Sequence, residues 1–95
     1  MSEQVEERAR MLALLEHNHT FPGPYSLRVI SRSSEPSAIV TAVTAVGAEL
    51  KECKAKPSKT GKYTSYHLVV RVGAADDVLS MYQVVGALED VMTVL

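Results

Sequence analysis

The chain has 95 residues, 46% of them hydrophobic and 22% charged, with five glycines and four prolines; these proportions exclude collagen-like, low-complexity and wholly disordered classes. At this length folding buries roughly 60 to 65% of the extended chain's surface, enough for one core and not two. Ten Lys and Arg against eleven Asp and Glu leave a formal charge of -1, which gives no global attraction to nucleic acid or anionic lipid.

Ser2 to about His17 reads as a charged helix. Ser2 is placed to cap it, Glu3, Glu6 and Glu7 suit its positive end, and Val5, Ala9, Leu12 and Leu15 recur at helical spacing. Its apolar stripe is thin, so it needs tertiary support. His17-Asn18-His19-Thr20 followed by Phe21-Pro22-Gly23-Pro24 ends it. Tyr25 to Ser31 alternates Tyr25, Leu27 and Val29 with Ser26, Arg28 and Ile30, the period of a half-buried strand. Ser33-Ser34-Glu35-Pro36 then supplies a helix start, with Ile39, Ala42, Val43 and Val46 on one face up to Gly47.

Glu49 to Lys56 is a polar strand with alternating lysines, the composition of a protected sheet edge. Pro57-Ser58-Lys59-Thr60-Gly61 is its turn. Lys62 to Val72 is the strongest strand, with Tyr66, Leu68, Val70 and Val72 on one side and Tyr63, Ser65, His67, Val69 and Arg71 on the other. After Gly73, the acids Asp76 and Asp77 start a helix on which Val78, Met81, Tyr82, Val85 and Leu88 share a face. Val91 to Leu95 is a short apolar strand. Met81, Tyr82 and Met92 read as core.

Residues 1–20 are thus an N-terminal helical extension, and residues 21–95 run β-α-β-β-α-β. That order predicts a two-layer α+β ferredoxin-like βαββαβ sandwich with an antiparallel sheet of order 4-1-3-2 and both helices on one face. Three stretches resemble the YbeD-like family of small bacterial proteins. They are Phe21-Pro22-x-Pro24-Tyr25, the run from Lys56 to Ser65, and Leu79-Ser80-Met81-Tyr82 with the Val91 to Leu95 ending. The resemblance implies an ACT-like fold and a family without an established activity, linked with regulatory or small-ligand roles and loosely with lipoate metabolism. It carries over no catalytic residue. Two departures from the family are the longer charged helix and Ser31, where relatives tend to end the first strand with glycine.

Five of the ten basic residues, Lys51, Lys54, Lys56, Lys59 and Lys62, fall in one short stretch. Lys56, Lys59 and Lys62 with the amides around Gly61 form a candidate anion site, set against the plainer reading of a solvated edge. Gly61-Lys62 is no phosphate-binding loop of the nucleotide-hydrolysing kind, since Tyr63 follows and a strand, not a helix, comes next. The open sheet face adds Arg28, His67 and Arg71 as candidate ligand contacts. That face is expected to lie in solvent or under the N-terminal helix or another subunit. With one Phe, four Tyr and no Trp, a base-stacking platform is disfavoured.

Cys53 cannot close an internal disulfide, and with three scattered histidines it forms no four-ligand set, so no metal or other cofactor is expected. No apolar run nears the roughly 18 residues of a membrane span, and charged residues stand where a signal peptide would carry its apolar stretch; a cytoplasmic protein is expected. The ACT-like resemblance, with no coherent catalytic set and two exposed sheet edges, implies a non-enzymatic regulatory module that binds a small anion, forms a homodimer or captures another protein. An adaptor working through the N-terminal helix, or less favourably an RNA-binding module using the lysine-rich turn, is the alternative.

Overall fold

The computed structural model describes residues 3–95. Its elements are α1 (Glu3–Asn18), β1 (Gly23–Ser31), α2 (Ser37–Ala45), β2 (Glu49–Pro57), β3 (Thr64–Val72), α3 (Ala75–Gly86) and β4 (Val91–Val94). The four strands form one antiparallel sheet of order β2-β3-β1-β4, the expected order read from the other edge. The cap expected at Ser2 lies outside the described residues.

Strict alternation makes β1 and β3 the centre. Leu27 and Val29 of β1, with Tyr66, Leu68, Val70 and Val72 of β3, are buried on one face. Burying each such side chain contributes roughly 1.5–3 kcal/mol. Ile39 and Val43 of α2 and Val78, Met81 and Val85 of α3 close over them, so both helices lie on the same flank. Tyr66 enters this layer without an orphaned polar atom, because its hydroxyl donates to the Ser33 carbonyl at 2.7 Å.

Two irregularities break the simple period. In β2 the register shifts between Leu50 and Glu52, which lets Leu50 pair with Val70 and Cys53 with Leu68 although they stand three apart; both turn toward the core. In β1 the register shifts between Ile30 and Ser31, opposite Met92. Val91 and Val94 pack against the core, whereas Met92 at the shift is 47% exposed. Met92 is therefore not a core residue: the bulge takes it out of the inward set. The end of the chain is held by reciprocal bonds, Arg28 N–H to Leu95 carbonyl at 3.0 Å and Leu95 N–H to Arg28 carbonyl at 2.7 Å.

Ser31 is fully buried at this bulge, where its hydroxyl donates to the Asp90 carbonyl at 3.2 Å and accepts the Ser33 N–H at 3.1 Å. The serine thus stitches β1 to the approach of β4. The stretch Ser33-Ser34-Glu35-Pro36 leads into α2 without a side-chain cap. Pro36 occupies the cap position, and the Ser33 hydroxyl closes a local turn by accepting the Glu35 N–H at 3.1 Å.

Helix α1 does not cover the open sheet face. It lies against α3, on the helical layer, with an Arg8–Asp76 ion pair and only Leu12 and Leu15 half-buried; Val5 and Ala9 of the expected stripe are exposed. The connector after it docks through rings. His19 meets the edge of Tyr25 at 5.1 Å between centroids, and the Tyr25 and Tyr82 hydroxyls share a hydrogen bond of 2.9 Å. At Gly23 a Cβ would collide with the Thr20 carbonyl oxygen, so only glycine lets the connector turn this tightly into β1.

Replacing Ser31 by Ala is expected to cost about 1 kcal/mol, since it leaves the Ser33 N–H without its partner and takes away one of the two bonds to the Asp90 carbonyl, which the Arg32 N–H still holds at 2.9 Å. Thermal unfolding should show this as a drop of roughly 4–8 °C per kcal/mol in Tm. Burial, reinforced by the Tyr25 bond, holds the Tyr82 phenol well above its ordinary 10.0. The fold favours the neutral ring, so this contribution is complete below about pH 10 and is lost as pH rises further, when the unfolded chain gives up its proton first. Denaturant unfolding at increasing alkaline pH should therefore show falling stability, and Tyr82→Phe should flatten that fall.

Candidate basic groove on the open sheet face

The helices occupy one flank, so the other side of the sheet presents the polar half of each alternation. Register sets the neighbours there. Lys54 stands opposite His67 and His67 opposite Arg28, a row of three basic side chains across β2, β3 and β1. The next row is Lys56, Ser65 and Ile30. With adjacent strands about 4.8 Å apart and alternate residues about 6.8 Å apart along a strand, these groups share one small area. Arg28, Lys54, Lys56, Tyr63, Ser65 and His67 line an open groove of about 700 Å³.

Its electrostatics are unbalanced. Lys51 pairs with Glu49 at 2.7 Å and Lys54 with Glu52 at 3.0 Å, whereas Arg28 and Lys56 have no ion-pair partner among the described residues. The Lys51 hydrogen bond and charge, with a smaller contribution from Arg71 across the sheet, hold the Glu49 carboxyl below its ordinary value. Arg28, Lys54 and Lys56 are not direct cross-strand partners, and as exposed like charges on one face they repel one another only weakly, by a few tenths of a kcal/mol at most. The fold gains nothing from Arg28 and Lys56 in return, since both are exposed and neither packs in the core.

Of the residues singled out in the sequence, Arg28, His67 and Lys56 come together here. Lys59, Gly61 and Lys62 do not join them. They sit in the β2–β3 turn, where Gly61 adopts φ +74° and its N–H donates to the Ser58 carbonyl at 3.0 Å. Of the amides expected to hold an anion, that of Gly61 is thus consumed within the turn. Arg71 shares the face but lies at its far end, opposite Pro24 and Glu49. Lys54, Ser65 and Tyr63 complete the groove. Lys54 was one lysine among five in the sequence, and only its register opposite His67 distinguishes it.

Ser65 and His67 make no hydrogen bond to each other, and burial pushes the Cys53 thiol up on the core side of β2. Among the described residues no three His, Cys, Asp or Glu side chains converge on a metal-sized site, and no helix is long and apolar enough to cross a membrane. What the groove offers is a set of cations beside further hydrogen-bonding side chains, an arrangement suited to an anion.

The architecture, a four-stranded antiparallel sheet with two helices on one flank, defines an ACT-like, ferredoxin-like domain. The chain belongs to the family described as Protein of unknown function (DUF493), whose profile matches residues 16–95. This is the family its YbeD-like motifs resemble, and α1 lies almost wholly outside the match. Among solved structures the chain is similar to protein HP0495 from H. pylori, at 22% identity and a TM-score of 0.71 over 81% of this chain and 85% of that one. It is also similar to the ACT domain from GTP pyrophosphokinase of Chlorobium tepidum, at 12% identity and a TM-score of 0.57 over 76% of this chain and 94% of that one. No curated protein matches the sequence.

Removing a cation from the groove should stabilise the fold. Arg28→Gln and Lys56→Gln are each expected to add about 0.2–0.3 kcal/mol, the scale of exposed charge interactions, and the gain should shrink in roughly 1 M salt as the repulsion is screened. Urea unfolding at low and high salt measures both.

Proposed function

We propose that the protein is a non-catalytic regulatory domain that acts by binding an anionic ligand on the uncovered face of its sheet. Arg28, Lys54 and Lys56 supply the charge, and Ser65 and His67 supply further hydrogen-bonding groups. The observation that carries this reading is the pair of unmatched cations, Arg28 and Lys56, placed beside Lys54 and His67 on the sheet face that the helices leave open. The ACT-like architecture is compatible with a role by association, and the charge of this one face supports it.

Helix α1 favours a second reading. None of its residues is buried, and Val5, Met11 and Leu14 are exposed. Under that reading α1 is a recognition element for a protein partner, and removal of residues 1–19 abolishes capture of that partner.

The anion reading is tested by thermal unfolding with citrate or inorganic phosphate against sodium chloride of equal ionic strength. A ligand at ten times its Kd stabilises by about 1.4 kcal/mol, so Tm should rise by several degrees. Arg28→Glu and Lys56→Glu should remove the rise. Equal Tm in all salts contradicts a small-anion site.

A further inference from the structure

We infer that the ligand of this face is an acidic stretch of another protein, laid extended over the sheet with carboxylates at alternate positions; this rests on the anion-binding reading above. The groove is open. Arg28, Lys54, Lys56 and Tyr63 are exposed, and Ser65 and His67 only half-buried. Sites for free small molecules enclose roughly 70–90% of the ligand surface, largely with apolar walls. A single carboxylate or phosphate here stays in water, and each exposed ion pair then contributes only about 0–1 kcal/mol. Affinity on such a surface comes from several contacts made at once by one chain.

The spacing suits that chain. Lys54 and Lys56 are alternate residues of β2, about 6.8 Å apart, and alternate side chains of an extended peptide repeat at the same distance. Arg28 stands two strands away, roughly 10 Å from Lys54. No single carboxylate or phosphate group spans those positions. The chemistry of the counter-group is visible on the protein itself: Lys54 already holds the Glu52 carboxylate at 3.0 Å, two residues along the same strand. A glutamate or aspartate from outside would take the same place on Lys56 and Arg28, which lack one. Half-buried Val69 and Ile30 on the same face offer apolar contact to the stems of such side chains.

A nucleic-acid strand fits less well. Its bases need rings to stack on. Tyr66 is in the core and Tyr25 and Tyr82 pair on the helical flank, which leaves Tyr63 as the groove's single tyrosine.

The test is fluorescence anisotropy of the full chain with a labelled peptide of about twelve residues alternating Glu and Thr, in roughly 50 mM salt. Comparators are a peptide of the same composition with its glutamates in one block, citrate, inorganic phosphate and oligo(dT), each measured as a competitor. The alternating peptide should bind at least about tenfold tighter than citrate or phosphate and tighter than the block peptide. Lys56→Glu and Arg28→Glu should weaken it about tenfold or more, while Lys59→Glu and Lys62→Glu, outside the groove, change it by less than about threefold. Circular dichroism confirms that each variant is folded. Citrate or phosphate competing as well as the peptide overturns this inference and leaves the anion-binding reading standing. Tighter binding of oligo(dT), equal binding of the two peptides, or equal losses from the turn variants also overturns it. No binding of any anion overturns both.

Discussion

The structure depends on the one-sidedness of its two central strands. In β1 and β3 every large buried side chain falls on one parity, so the sheet has a single face that water must leave. Two helices, α2 and α3, satisfy that face and settle on the same flank. The opposite parity holds Ser26, Arg28, Ser65, His67 and Arg71, which no element of the chain covers. The constraint that builds the core also collects the basic residues, because a period of two cannot place apolar side chains on one side without placing polar ones on the other.

The N-terminal helix preserves that division. Had α1 crossed the polar face, its acids would have met Arg28 and Lys56 and the groove would have been filled from within. Instead the ring contacts of His19 and Tyr25 and the Arg8–Asp76 pair attach it to the helical layer. Gly23 and the Tyr25–Tyr82 bond fix the direction in which the connector enters β1. The molecule therefore has a helical side that carries its extension and a sheet side that carries its unbalanced charge.

Much of this was legible in the sequence. The alternation from Tyr25 to Ser31 and from Tyr66 to Val72, and the helical spacing from Val78 to Leu88, predict the element order and the central strands. Bulges were not legible. The shift near Lys51 turns Leu50 and Cys53 to the same side, and the shift beside Ser31 moves Met92 outward; neither leaves a mark on a period-two pattern. The placement of α1 depends on a pairing between residues far apart in the chain, which local propensity does not encode.

The groove was half legible. Parity puts Arg28 and His67 on the open face, and lysine density draws attention to β2. Which lysines meet them is a matter of register across two strand pairs, and that selects Lys54 and Lys56 over Lys59 and Lys62. Gly61 looked like an anion cradle because glycine amides often serve as one; its bond to Ser58 closes the turn instead.

The central claim, that the uncovered sheet face is the working surface, is tested most directly by following backbone amide resonances while an acidic ligand is titrated into the isotopically labelled protein. The account predicts that the perturbed amides cluster at Arg28, Lys54, Lys56, Ser65 and His67, with α1 and α3 unchanged. Perturbations confined to α1, α3 or the Ser58–Tyr63 turn would contradict it.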